Sequence, residues 1–169
     1  MSLVAIDVET TGLSARFGSR IIEVGAVVVE NGTLGEEFNS LVNPGVKIPA
    51  SATRIHGITN TMLRHQPSPD SVFRQLQKFL GRSTLIAHNA AFDMAFLRAE
   101  FTRMDWEFDY RPICTLRMSR QLLPGLSNYK LATVYKYLYG SKSCGSRLHR
   151  ALADAQMAGR IWLRLFEKG

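Results

Sequence analysis

A mixed α/β sheet covered by helices on both sides is the fold predicted by this sequence of 169 residues. Three observations predict it. Two apolar, β-rich runs meet early at Asn31-Gly32, a dipeptide that closes hairpins. One further apolar strand follows a helix-patterned segment. Helical patterns then fill most of what remains, which is the order expected of a sheet with helices packed against it.

The elements read as follows. Residues 3–8 form a buried first strand, 20–31 a second and 32–44 a third, the last two making the hairpin. Residues 49–59 read as a loop with one helical turn. Over 68–83, Val72, Leu76, Phe79 and Leu80 recur at helical spacing and Gly81 is the stop. Residues 83–89 are a short apolar strand, and 89–104 a helix with Asn89 as its N-cap. Residues 112–125 begin extended, become helical and end at Pro124-Gly125. Residues 128–140 form a helix stopped by Gly140, 141–147 a polar loop, and 149–169 the last helix.

No repeat, linker or low-complexity segment interrupts this order, so one domain over 1–169 is expected. Hydrophobic residues make up 46% of the chain, yet the longest aliphatic run is only Ala26-Val27-Val28-Val29, which excludes a membrane span. The N-terminus lacks the basic segment of a signal peptide. Cys114 and Cys144 are therefore read as reduced thiols and the protein as cytoplasmic. The net charge of +7 is unevenly placed: residues 1–80 carry seven Lys/Arg against seven Asp/Glu, and residues 81–169 carry fourteen against seven. A basic half suits a polyanionic partner, the alternative being solvated helix faces.

Carboxylates carry the chemical signal. Asp7 and Glu9 are two apart on the first strand, so they point the same way. Asp93 follows the later strand in the first turn of its helix, where open α/β sheets bind ligands. Asp154 stands among small residues, Ala151, Ala153, Ala155 and Ala158, and either faces water or aims at a partner. His149 lies five residues earlier, about 140° away on an ideal helix, so it belongs on the preceding loop or at the helix start. Four carboxylates from three segments repel unless cations lie among them. Oxygen donors without clustered Cys or His select Mg²⁺ or Mn²⁺ over zinc. Two such ions serve in-line phosphoryl displacement, with a neutral His beside the attacking water as general base.

Three segments, DVETTGL (7–13), HNAAFDMAFL (88–97) and HRALADA (149–155), resemble in order and spacing the exonuclease motifs of the DnaQ-like, or DEDDh, 3′–5′ exonucleases. That family includes the DNA polymerase III epsilon subunit, exonuclease X and RNase T. RIIEVGAVVV and RIHGIT resemble its connecting segments, so the likeness runs from about residue 3 to 167. The resemblance implies a ribonuclease H-like fold with a central mixed sheet of five strands. It makes Asp7, Glu9, Asp93 and Asp154 the ligands of two divalent ions and His149 the general base. It also implies that Thr10 and its neighbours hold the terminal 3′-hydroxyl, that Leu13 and Phe92 pack on the last base, and that His56 lines the nucleotide pocket. Leu13 and Phe92 as core residues, and His56 as a hydrogen-bonded loop residue, remain open here.

Glu23 is read as half of a structural pair, His88 as a buried, satisfied histidine, His65 as exposed, and Trp106, Tyr110 and Tyr129 as packing. Cys114 departs from the family, many members of which carry Asp before the Thr. The expected activity is metal-dependent 3′–5′ removal of nucleoside 5′-monophosphates from single-stranded or frayed DNA 3′ ends, as in proofreading. An RNA or oligonucleotide exonuclease similar to RNase T or oligoribonuclease is the alternative, and a non-catalytic nucleic-acid-binding module is the third. A replicative polymerase is a candidate partner, although this chain has no docking tail like that of the epsilon subunit.

Overall fold

The computed structural model describes residues 2–140 and 149–166. The polar loop expected over 141–147, with Cys144, Lys142 and Arg147, lies outside the described residues, as do the last three positions of the final helix. Five strands, β1 (Leu3–Thr10), β2 (Ile21–Glu30), β3 (Thr33–Leu41), β4 (Thr84–Ala87) and β5 (Pro112–Cys114), form one sheet in the order β3-β2-β1-β4-β5. The first three are antiparallel, and β4 and β5 run parallel to β1. The mixed five-stranded sheet is as expected. Asn31 and Gly32 both take positive φ, 51° and 75°, as the tight turn between β2 and β3 requires. β3 is one edge strand, and its exposed Glu36 and Glu37 guard that edge.

Helices α1 (Ala50–His56), α2 (Asn60–Leu63), α3 (Pro69–Leu80), α4 (Ala90–Arg103), α5 (Thr115–Leu122), α6 (Leu131–Tyr139) and α7 (Ala151–Phe166) complete the fold, with a 3₁₀ turn at Ala15–Phe17 that no apolar period announced. The 112–125 segment gives only three residues to the sheet before turning helical, and α7 starts two residues later than periodicity suggested. Asn89 does hold the N-cap position, but its φ of 71° is left-handed and its side chain makes no capping bond, so it turns the chain rather than capping it.

Strand alternation divides two cores. Val4, Ile6 and Val8 of β1 pack with Phe73, Leu76, Phe96 and Phe101 of α3 and α4 on one face. Ala5, with Val27, Val29 and Ile86, meets Ala155 and Trp162 of α7 on the other. Trp106 and Tyr110 pack edge-on against Phe101, and the Tyr129 hydroxyl donates to the Leu123 carbonyl, so all three are packing residues. His88 hydrogen-bonds through both ring nitrogens, to Thr115 Oγ1 at 2.9 Å and to the Tyr129 carbonyl at 2.8 Å. His65 is exposed. Among the described residues, no helix is long and apolar enough to cross a membrane.

Candidate active site

Because Val4, Ile6 and Val8 face one core, Asp7 and Glu9 follow Ala5 onto the face that α7 covers. α7 comes unusually close there. Gly25 of β2 lies opposite Asp7 in register, and a Cβ placed on it would sit 2.1 Å from the Leu152 backbone nitrogen. Glycine at this position lets the first turn of α7 rest on the sheet backbone, which brings in Asp154, only 8% exposed. One ligand atom each from Glu9, His149 and Asp154 lies within 4.8 Å of the others. Asp93, 2% exposed, enters from the first turn of α4. β1 pairs with β4 only through Ala5, and beyond that point the Val8 N–H donates to the Asp93 carboxylate.

The electrostatics are those of crowded acids short of counter-charge. Burial, then the charges of Asp93, Asp154, Glu9 and Glu23, holds Asp7 well above the ordinary carboxylate range. Burial, with Asp154 and Glu23 next, pushes Glu9 up to about 8. Asp93 is pushed up to about 8 by burial, which outweighs hydrogen bonds from its own amide and that of Val8. Asp154 rises to about 6, where burial outweighs the opposing pull of nearby His149 and its backbone amide. Among the described residues, one oxygen of Asp154, Oδ1, is buried with no hydrogen-bond partner.

Sequence reasoning missed how His149 is held. It sits outside α7 with a φ of 65°, a conformation costing about 1–3 kcal/mol that persists only where neighbours enforce it. The next residue, Arg150, grips buried Glu23: Nε lies 3.0 Å from both carboxylate oxygens and Nη2 is 2.6 Å from Oε1. Glu23 also accepts the Ala151 N–H at 3.1 Å. Glu23 is thus a structural partner, as expected, but its work is to fix the turn that presents His149 and starts α7. A pair 127 positions apart leaves no local pattern; the only signal in the sequence is an acid within an otherwise apolar strand.

Beside Glu9 lies a cavity of about 260 Å³ whose lining includes Thr10, Leu13, Ile55, His56 and Phe92. Leu13 is 85% exposed, which removes it from the core, and Phe92 is half-buried with its ring 4.8 Å from that of Phe96. The Thr10 hydroxyl donates to the Gly12 carbonyl, tightening the turn that carries Leu13. His56 Nδ1 accepts the Ile58 N–H, so the neutral ring carries its proton on Nε2, and burial lowers its pKa. Among the described residues, that Nε2 is buried with no partner at full hydrogen-bond distance, the backbone of Thr10 being near enough to offset part of the shift. The pocket has exposed apolar Leu13 and Ile55 in its lining and Glu9 at its edge, a shape suited to a flat ring.

Among the described residues, the donor set fits hard divalent cations: carboxylate oxygens from β1, α4 and α7, one imidazole, no thiolate, and a buried Asp154 oxygen without a hydrogen-bond partner. A cation between these groups would answer both the raised pKa values and the orphaned oxygen.

The RNase T exonuclease family profile matches residues 4–162. The chain is 35% identical over 166 residues to the 3′–5′ exonuclease DinG of Bacillus subtilis (strain 168), covering 98% of this chain but only 18% of that protein. It is 33% identical over 169 residues to the DNA polymerase III subunit epsilon of Aquifex aeolicus (strain VF5), covering 99% of this chain and 81% of that one. Among solved structures, exonuclease X in complex with 5′-overhanging duplex DNA superposes with a TM-score of 0.80 at 29% identity, covering 99% of this chain and 92% of that one. The match therefore spans about four fifths of an epsilon subunit but less than a fifth of DinG. On the sheet order, the converging acids and these likenesses together, the chain belongs to the RNase T exonuclease family.

Proposed function

We propose that residues 1–169 form one exonuclease domain that removes nucleoside 5′-monophosphates from single-stranded or frayed DNA 3′ ends. The convergence of Glu9, His149 and Asp154 within 4.8 Å carries this reading. Family membership implies divalent metal ions. We assign two, Mg²⁺ or Mn²⁺, to Asp7, Glu9, Asp93 and Asp154. When bound, they would neutralise the phosphodiester and acidify a water. The terminal nucleoside occupies the neighbouring pocket, its base between Leu13 and Phe92 and its sugar against the Thr10 turn and His56. His149 accepts the water's proton at a ring nitrogen, and Arg150 with Glu23 keeps the ring in place during the transfer. Attack at phosphorus breaks the bond to the preceding 3′-oxygen and frees the monophosphate. DNA is favoured because the epsilon subunit and exonuclease X are the relatives matched over most of their length at about 30% identity.

The test uses 5′-labelled single-stranded DNA, duplex DNA with a mismatched 3′ terminus, and RNA of the same sequence, each with Mg²⁺, Mn²⁺ or EDTA. A ladder shortening from the 3′ end, faster on DNA than RNA and abolished by EDTA, is expected. Faster loss of RNA would move the substrate class to RNA, and cleavage that survives EDTA would remove the metal mechanism.

A further inference from the structure

The groove between α4 and α5 has no role in the site described above. It is a cavity of about 430 Å³ whose lining includes Ala90, Ala91, Cys114, Leu116, Arg117 and Arg120. The two arginines are three apart on α5, so they share a face. Both are exposed, and among the described residues neither is paired with a carboxylate.

Sheet order and reaction geometry connect this groove to the site. In-line displacement places the attacking water and the leaving oxygen on opposite sides of phosphorus. His149 is tied through Arg150 to β2, on one side of β1. Asp93 follows β4, on the other side. Water entering from the His149 side therefore sends the leaving 3′-oxygen, and all of the strand 5′ to it, toward the start of α4. Phe92 lines the nucleotide pocket, and Ala91, next to it, lines the groove. The next strand along is β5, which leads directly into α5. β5 lies two strands from β1, about 10 Å, so a single strand leaving the reaction centre in that direction reaches the groove within a few nucleotides.

We propose that this groove is the track for the substrate strand upstream of the cleaved bond, with Arg117 and Arg120 holding backbone phosphates and Cys114 and Leu116 lying under sugars and bases. The inference rests on the exonuclease reading. Two cations and several apolar side chains in one groove match a single strand, which offers both phosphates and base faces along its length. Such contacts carry no sequence information, so the groove would grip any strand equally.

The test compares wild type with an Arg117→Gln/Arg120→Gln double variant on two substrates. One is an oligothymidylate of about ten nucleotides, within the usual length of a single-strand site. The other is the p-nitrophenyl ester of thymidine 5′-monophosphate, which places a nitrophenol where the upstream strand begins. For the oligomer, KM should rise at least about fivefold with kcat little changed. The slope of log KM against log salt should shrink by about 1.4, because each arginine that neutralises a phosphate adds about 0.7 to it. The ester, which never reaches the groove, should show no comparable rise. An unchanged oligomer KM would overturn the track, and so would equal impairment on both substrates, since that places the fault at the reaction centre. Wild type inactive on both substrates would overturn the exonuclease reading and the track with it.

Discussion

Two glutamates and four other carboxylates share the interior of this protein, and they are treated in opposite ways. Glu100 of α4 is 1% exposed and held by Arg20 at 2.8 and 2.9 Å, with Arg103 at 3.3 Å. Glu23 is equally buried and held by Arg150. Asp7, Glu9, Asp93 and Asp154 have no arginine or lysine in an ion pair with them among the described residues, and all four are pushed toward their protonated forms. Where the fold needs a buried acid for architecture, it supplies the cation from its own chain. Where it leaves acids crowded and uncompensated, the stability sacrificed marks a place reserved for something else.

The sharpest way to break this contrast is to neutralise one member of the unpaired set. Asp154→Asn should lower turnover by at least about 10³-fold, yet raise the metal-free melting temperature by relieving repulsion. Steady-state kinetics and a thermal melt in EDTA check the two halves, and a destabilised variant would mean that the acids are structural after all. The paired set should behave in reverse. Arg150→Ala strands buried Glu23 with only the Ala151 N–H and should cost about 3–5 kcal/mol in urea unfolding. Arg20→Ala should cost less, because Arg103 stays within 3.3 Å of Glu100.

Smaller effects sharpen the same comparison. Mg²⁺ or Mn²⁺ at about a hundred times its dissociation constant should add about 2.7 kcal/mol, or roughly 5–11 °C in melting temperature for a chain of this size. Asp7→Asn should abolish most of that gain. The pH dependence has a definite sign. Raised carboxyl pKa values mean that the folded chain binds more protons than the unfolded one. The stabilisation is complete below the ordinary carboxylate range and is lost as pH climbs through about 6 for Asp154 and about 8 for Glu9 and Asp93. In EDTA the melting temperature should therefore fall from about pH 4 to about pH 8 through these groups, and saturating metal should flatten that decline. A flat EDTA profile would show that water reaches the acids and that they titrate normally.

Much of this was legible because it is written locally. Asn31-Gly32 announces its hairpin, Val72, Leu76 and Leu80 announce α3, and the five-residue gap from His149 to Asp154 already sets the imidazole off the helix. The acids could be nominated from strand alternation and helix starts, though their association needed the likeness to a known family. What stayed hidden depends on contacts between distant segments. The Glu23–Arg150 and Arg20–Glu100 pairs span 127 and 80 positions. The left-handed turn at Asn89 reflects packing where β4 meets α4, and a capping residue type there gave the right position but the wrong hydrogen bonding. For Leu13 the residue type left a core position and a place on the last base both open, and its exposure beside the turn closed by Thr10 removes the first.

Gly25 gives the contrast its spatial basis. Strand and helix meet there main chain to main chain, so the span from Asp7 to Asp154 is set by a contact with no rotamers to adjust. A methyl group at residue 25 would act as a wedge, prising the helix off its bed and the two acids apart with it. A position that touches neither metal nor nucleic acid should therefore tolerate substitution as poorly as the acids themselves.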